Sequence, residues 1–208
     1  MGNGVERTPG ELACQMLWLQ EQGCHNLNLV TPTHFMPQIL KAVGIAHERG
    51  FNLPIVYNTS GYESLEVLQL LDGIIDIYMP DMRYSDDRTA VKYSAAPHYA
   101  EINRAAVKEM YQQVGNLVID ENGIAKKGLL IRHLVLPGGL SGTEGIMKFL
   151  AEEVSKDVYI SLMSQYFPAH KAHTFKELSR RITAEEYEEA RRIMEKYGLE
   201  NGWIQNLD

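Results

Sequence analysis

The sequence predicts an α/β fold, a partial (β/α) barrel with parallel strands, on two observations. The first is a unit that occurs four times: an apolar, β-branched run ending in small polar residues that open a helix. The runs are Leu27–Val30 before Thr31-Pro32-Thr33-His34, Pro54–Tyr57 before Asn58-Thr59-Ser60-Gly61, Ile74–Tyr78 before Pro80-Asp81-Met82-Arg83, and Leu134–Leu136 before Pro137-Gly138-Gly139. Strand followed by helix, repeated, means parallel strands with helices packed over them. The second observation is a set of capping boxes, in which Ser or Thr caps the first turn and a Glu three residues on reaches back. In parallel α/β folds ligands sit at the C-terminal ends of the strands, where the polar clusters fall.

Taken in order, Thr8-Pro9-Gly10-Glu11 opens a helix to Gln22, with Pro9 at its first position. Ser60–Glu63, Ser141–Glu144 and Thr183–Glu186 are the other boxes, two of them directly after strand-like runs. A long helix is expected from His98 to Val114, facing inward through Ile102, Ala105, Ala106, Met110 and Val114. Leu117–Ile124 reads as a small β-hairpin turning at Asn122-Gly123. A fifth barrel strand is expected at Val158–Met163. The last helix carries Tyr187, Ala190, Ile193, Met194 and Tyr197 at helical spacing and stops at Gly198. The series opens with a helix that no strand precedes, so residues 1–208 are expected to form one domain incomplete at its N-terminus, with the first strand missing.

The 208 residues suffice for one core, and 45% apolar with 23% charged residues is ordinary for a soluble globular chain. A formal charge of −7 argues against a nucleic-acid or anionic-membrane surface, because phosphate binding needs clustered Lys and Arg. No apolar run approaches the ~20 residues of a membrane helix, and Met1–Glu6 has no apolar targeting region. A cytoplasmic protein is therefore expected. The two cysteines, Cys14 and Cys24, lack the spacing of a redox or zinc pair and read as structural or incidental thiols, behaving as small buried hydrophobes.

Candidate chemistry gathers at the strand ends. Thr31, Thr33 and His34 follow the first strand, His34 being a possible acid/base or ligand. Asn58, Thr59 and Ser60 combine side-chain donors with an expected helix N-terminus, suited to an anionic or polar ligand, although Ser60 also reads as a plain helix cap. Asp81 with Arg83 can bind an amino-acid head group, or form a surface pair of little consequence. Arg132 and His133 are neighbours in the fourth strand, so one points inward and the other outward. A buried Arg needs an anionic partner. The chain has no Walker loop, G-x-G-x-x-G opening, H-E-x-x-H or nucleophile elbow. The residues alone describe a polar mouth for a small zwitterionic or anionic ligand.

Four segments together resemble the radical S-adenosylmethionine proteins related to pyruvate formate-lyase activating enzyme. They are His25–Phe35, Tyr57–Glu63, Asp76–Tyr84 and Arg132–Gly138, joined by Arg180–Thr183 and Leu199–Gln205 near the end. The resemblance implies a radical-type partial barrel, S-adenosylmethionine as small-molecule cofactor, and its reductive cleavage to a 5′-deoxyadenosyl radical that abstracts hydrogen. It also implies a [4Fe–4S] cluster on a C-x-x-x-C-x-x-C loop, a reductant such as flavodoxin or ferredoxin, and a protein substrate resembling a glycyl-radical enzyme. By resemblance, Asn58-Thr59-Ser60-Gly61 stands for the family's Asp-Thr-Asn-Gly and Asp81-Met82-Arg83 for its Asp-x-Lys, both near the cofactor's amino-acid moiety. Thr31-Pro32-Thr33-His34 replaces a glycine-rich stretch, and Arg132-His133 matches a basic–aromatic pair. The resemblance thus assigns Thr31, Thr33, His34, Asn58, Thr59, Ser60, Asp81, Arg83, Arg132 and His133 to cofactor binding and no residue to metal. The cluster loop is absent from this sequence, and without three thiolates the cluster has no anchor, so the chain alone is expected to be inactive.

Two other readings compete. One is a non-catalytic barrel that binds S-adenosylmethionine or a nucleoside, or serves as a partner subunit. The other is an unrelated barrel enzyme using His34, Asp81 or His133 in acid–base work. An open sheet edge also predicts poor solubility or self-association.

Overall fold

The computed structural model describes residues 4–206; Met1–Asn3, part of the stretch read above for a targeting region, and Leu207–Asp208 lie outside them. The described chain runs α1 (Pro9–Glu21), β1 (Leu27–Val30), α2 (Met36–Glu48), β2 (Ile55–Thr59), α3 (Leu65–Leu70), β3 (Ile77–Pro80), α4 (Asp87–Ser94) and α5 (Tyr99–Val114). It continues through β4 (Val118–Ile119), β5 (Ala125–Leu134), α6 (Thr143–Glu153), β6 (Tyr159–Met163), α7 (Ala184–Lys196) and β7 (Gly202–Ile204). The strands form one open sheet in the order β1-β2-β3-β5-β6-β7, all parallel, with β4 antiparallel to β5. The α/β class and the parallel partial barrel follow the sequence expectation.

Alternation along the strands separates two faces. Leu27, Ile55, Tyr57, Tyr78, Leu129, Ile131, Ile160 and Leu162 turn into the main core beneath the helices. Tyr57 and Tyr78 meet edge to face at 5.8 Å there, and burial pushes both phenols above their ordinary range. The opposite face carries Val56, Ile77, Met79, Leu130 and Tyr159, closed at the N-terminal ends of the strands by Leu117, Ile119 and Ala125 around the hairpin. The hairpin turns at Asn122-Gly123, with Gly123 at φ 78° and the Asp120 carboxylate accepting from the Asn122 and Ile124 amides. Its second arm is the first half of β5 itself, so the fourth barrel strand begins nine residues before the Leu134–Leu136 run that announced it.

Two capping boxes form and two do not. Thr8 with Glu11 and Thr183 with Glu186 make both reciprocal bonds. Ser60 caps nothing: α3 starts at Leu65 behind Ser64, because Glu63 is drawn into the interior by other hydroxyls and cannot reach back. Ser141 is likewise not a cap. Gly142 takes that position at φ 66°, and Glu144 turns outward to Lys196 at 2.6 Å. The helix N-terminus expected at Asn58–Ser60 is therefore displaced four or more residues from those side chains. Helix α5 begins after His98 as expected, but Asn103 and Val107 are also buried on its inward face, while Ile102 and Ala105 are only partly buried. β7 was not among the five strands expected, and α4, capped by the Asp86 carboxylate on the Thr89 amide, adds a further short helix. Among the described residues no helix is long and apolar enough to cross a membrane.

Candidate functional site

The parallel register brings the ends of β2, β3 and β5 together. Thr31 N–H donates to the Asn58 carbonyl, Asp81 N–H to Thr59 and Met82 N–H to Arg132, each at 2.8–2.9 Å. Pleating then sends Asn58, Asp81 and Arg132 to the face opposite the helices, where their side chains meet. Arg132 donates through Nη1 to Asn58 Oδ1 at 2.8 Å and places Nε 3.3 Å from Asp81 Oδ1. Arg83 donates through Nε and Nη2 to Asp81 Oδ2 at 3.1 and 2.7 Å. Burial works against the Arg83 charge, but the Asp81 carboxylate outweighs it and raises the guanidinium pKa.

One carboxylate thus serves two guanidinium groups, leaving the cluster with a net positive charge. Asp81 is almost fully buried, yet its Oδ1 accepts no hydrogen bond, since the ion pair with Arg132 is not aligned for one. An unsatisfied carboxylate oxygen beside a spare cation is equipped to hold an ammonium and a carboxylate together, as an amino-acid head group would require.

Helix α5 locks the loops that carry these groups. Asn103 donates through Nδ2 to the carbonyls of Gly61 and Asp81, both at 3.0 Å. The Tyr99 hydroxyl accepts from Arg83 N–H at 3.0 Å and lies 3.2 Å from the carbonyls of Ser60 and Asp81. Burial raises this phenol's pKa well above the ordinary range, so it remains a donor. Gly61 holds φ 73° against this bracket, and a Cβ there would run into the Asn103 amide and the Asp81 carbonyl. Tyr99 and Asn103 hold these loops and were missed by the strand-end reading; a polar Asn on the inward face of an amphipathic helix was the available signal.

The remaining residues sit elsewhere. Thr33 and Thr59 donate to the buried Glu63 carboxylate, Thr33 at 2.8 Å, and Tyr57 adds a third hydroxyl at 3.2 Å. They join β1 to β2 on the helix side and do not face Asp81. Ser60 contributes only its carbonyl, to Tyr99. Thr31 and His34 are exposed at the lip. His133 points to the helix side, fully buried, with Nδ1 donating to the Met82 carbonyl at 2.8 Å and Nε2 accepting from Thr143 Oγ1 at 3.0 Å. Burial pulls its pKa down to about 4, against smaller opposing effects of Met82 and Asp81, so the ring is neutral.

Thr31 has φ 50°, a left-handed backbone that a β-branched residue rarely adopts. The conformation costs about 1–2 kcal/mol for an L-residue with a Cβ, more than the ~0.5–1 kcal/mol by which glycine loosens the unfolded chain. Thr31→Gly is therefore expected to raise stability by about 0.5–1 kcal/mol, read from the urea midpoint at unchanged slope. A glycine-rich stretch is what the resemblance places at this point of the fold.

Among the described residues no three His, Cys, Asp or Glu side chains gather as metal ligands; Cys14 and Cys24 are both free, and neither is the buried small hydrophobe expected, Cys14 being on the exposed side of α1. These residues do not supply a site for an iron–sulfur cluster.

No family model matches the chain. An uncharacterized protein of Methanocaldococcus jannaschii is 32% identical over 178 residues, which are 84% of this chain and 47% of that protein. The chain thus spans about half the length of the curated relative it matches. Among solved structures, a crystal structure of a domain of pyruvate-formate lyase-activating enzyme from Bacteroides vulgatus is similar at 12% identity, covering 88% of this chain and all of that one, with a TM-score of 0.59. At that identity the likeness is one of fold: the open parallel sheet with its covering helices is shared with an activating-enzyme domain.

Proposed function

We propose that this chain is the S-adenosylmethionine-binding part of a radical S-adenosylmethionine protein related to pyruvate formate-lyase activating enzyme. The observation that carries the reading is the Asn58–Asp81–Arg83–Arg132 cluster at the C-terminal strand ends, with an unsatisfied carboxylate oxygen beside a surplus cation. The fold likeness to an activating-enzyme domain supports it. In this reading Asp81 Oδ1 accepts from the cofactor's α-ammonium, and Arg83, whose Nη1 takes no protein acceptor among the described residues, holds its carboxylate. Asn58 and Arg132 hold Asp81 in place. Tyr99 and Asn103 keep the loops from moving with the ligand.

What the bound molecule supplies is a sulfonium whose carbon–sulfur bond opens on one-electron reduction. The described residues do not hold the cluster that would deliver the electron, so their own contribution is binding and orientation of the amino-acid end. The reductant and a glycyl-radical-type protein substrate belong to the same proposal.

Calorimetric titration with S-adenosylmethionine, competed by methionine and by adenosine, tests the binding half. Competition by methionine but not adenosine is expected, and absence of S-adenosylmethionine binding overturns the assignment. Anaerobic iron–sulfide reconstitution of the chain beside its Methanocaldococcus relative, scored by iron content and 5′-deoxyadenosine, tests the catalytic half. Binding without cleavage by either protein favours the non-catalytic binding barrel.

A further inference from the structure

Beside the Asp81 cluster, on the far side of Arg83, a cleft of about 650 Å³ opens between α4 and the segment that follows β6. Its volume lies in the range of small-molecule sites. The walls are aromatic. Tyr93 and Phe175 pack edge to face at 5.0 Å, and the hydroxyls of Tyr84 and Tyr166 are already satisfied, by Ser94 Oγ and the Leu178 carbonyl, both at 2.8 Å. With their polar ends engaged inside the protein, these rings offer the cleft apolar surface.

The charge lining the cleft is of one sign. Arg83, Lys92 and Lys171 border it, and no Asp or Glu does. Lys92 is neutralised by Glu177 at 2.6 Å from outside the lining. Lys171 has no acidic partner among the described residues, and Arg83 shares its only one with Arg132. In a chain of formal charge −7, an aromatic cleft with a surplus of cations is not a random piece of surface. The turn that presents Lys171 is also strained: His170, a residue with a Cβ, holds φ 49° at the start of the turn His170–Thr174. Backbone strain of this kind clusters where a ligand is held.

We infer that this cleft binds a small, flat organic anion, an aromatic or conjugated carboxylate, with the ring between Tyr93, Phe175 and Tyr166 and the carboxylate toward Lys171. As the substrate position of the proposed reaction this assignment rests on that reading; as a binding site it stands by itself. Arg83 is the link between them, touching Asp81 on one side and the cleft on the other.

The test is calorimetric titration with 2-naphthoate against neutral 2-naphthalenemethanol, with S-adenosylmethionine titrated in parallel. The acid is expected to bind at least tenfold more tightly than the alcohol. Lys171→Glu, at an exposed position that should not disturb folding, is expected to weaken the acid about tenfold and leave the alcohol unchanged. Phe175→Ala should weaken both. Equal affinity for acid and alcohol, or an unaffected Lys171→Glu variant, overturns the inference. Loss of 2-naphthoate binding with S-adenosylmethionine binding intact overturns the cleft alone. The reverse result overturns the cofactor reading and leaves the cleft standing.

Discussion

Asp81→Asn is expected to lower S-adenosylmethionine affinity at least tenfold and to lower stability by about 2 kcal/mol. Tenfold in affinity is about 1.4 kcal/mol, a modest loss for a charge-assisted bond in a buried setting. The stability cost has a separate origin. Asp81 is the acidic partner of both Arg83 and Arg132, and removing one member of a buried ion pair typically costs 3–5 kcal/mol because the other charge is left unpaired. Arg83 is half exposed and Arg132 about a quarter exposed, so water can take over part of the solvation and the smaller figure applies. Urea denaturation gives the second number and calorimetric titration of the folded variant the first. Arg132→Lys keeps the charge but loses the fork that spans Asn58 and Asp81. It should weaken binding less than Asp81→Asn does. Unchanged affinity in folded Asp81→Asn protein would remove the cluster from cofactor binding.

The cluster was legible as a place before it was legible as a geometry. Strand ends are readable because β-branched runs and the polar residues after them are local in the chain, and register follows once strands are parallel. That Asp81 and Arg83 pair, and that Arg132 needs an anion, could be said from spacing and from the cost of a buried guanidinium. That the anion is Asp81, 51 positions earlier, depends on β3 and β5 being neighbours. The failed boxes at Ser60 and Ser141 show the opposite limit. Ser-x-x-Glu is a local signal, but Glu63 is claimed by three hydroxyls from the adjacent strand ends, and tertiary contacts override the cap. β7 escaped notice because Gly202–Ile204 is short and exposed, with no alternation to reveal it.

His133 shows how one strand position separates structure from function, and it predicts an acid-sensitive fold. Alternation sends Arg132 to the polar face and His133 into the core, where both ring nitrogens are engaged in the neutral form. Burial holds its folded pKa near 4, below an unfolded value near 6.5, so between those limits the unfolded chain binds the extra proton. Stability from this group is complete above pH 6.5 and is lost as pH falls toward 4, a change of about 3 kcal/mol at 1.36 kcal/mol per pH unit. Glu177 and Glu186, whose pKa values fall to about 2, hold their stabilising contribution in full well above the ordinary carboxylate value of 4.5 and lose it as pH falls through and below that value. Between pH 5.5 and 6.5 the slope is therefore mostly the histidine's, and the carboxylates held below their ordinary range add to it increasingly as pH falls toward 5. Urea denaturation across that interval should show stability rising with pH in the native sequence and rising much less steeply in His133→Asn, which keeps a donor for the Met82 carbonyl but takes up no proton. A slope that survives the substitution undiminished would place the titrating group elsewhere. Loss of the slope with S-adenosylmethionine affinity retained would assign His133 to holding α6 on the sheet, and leave the ligand to the residues on the other side of the strand.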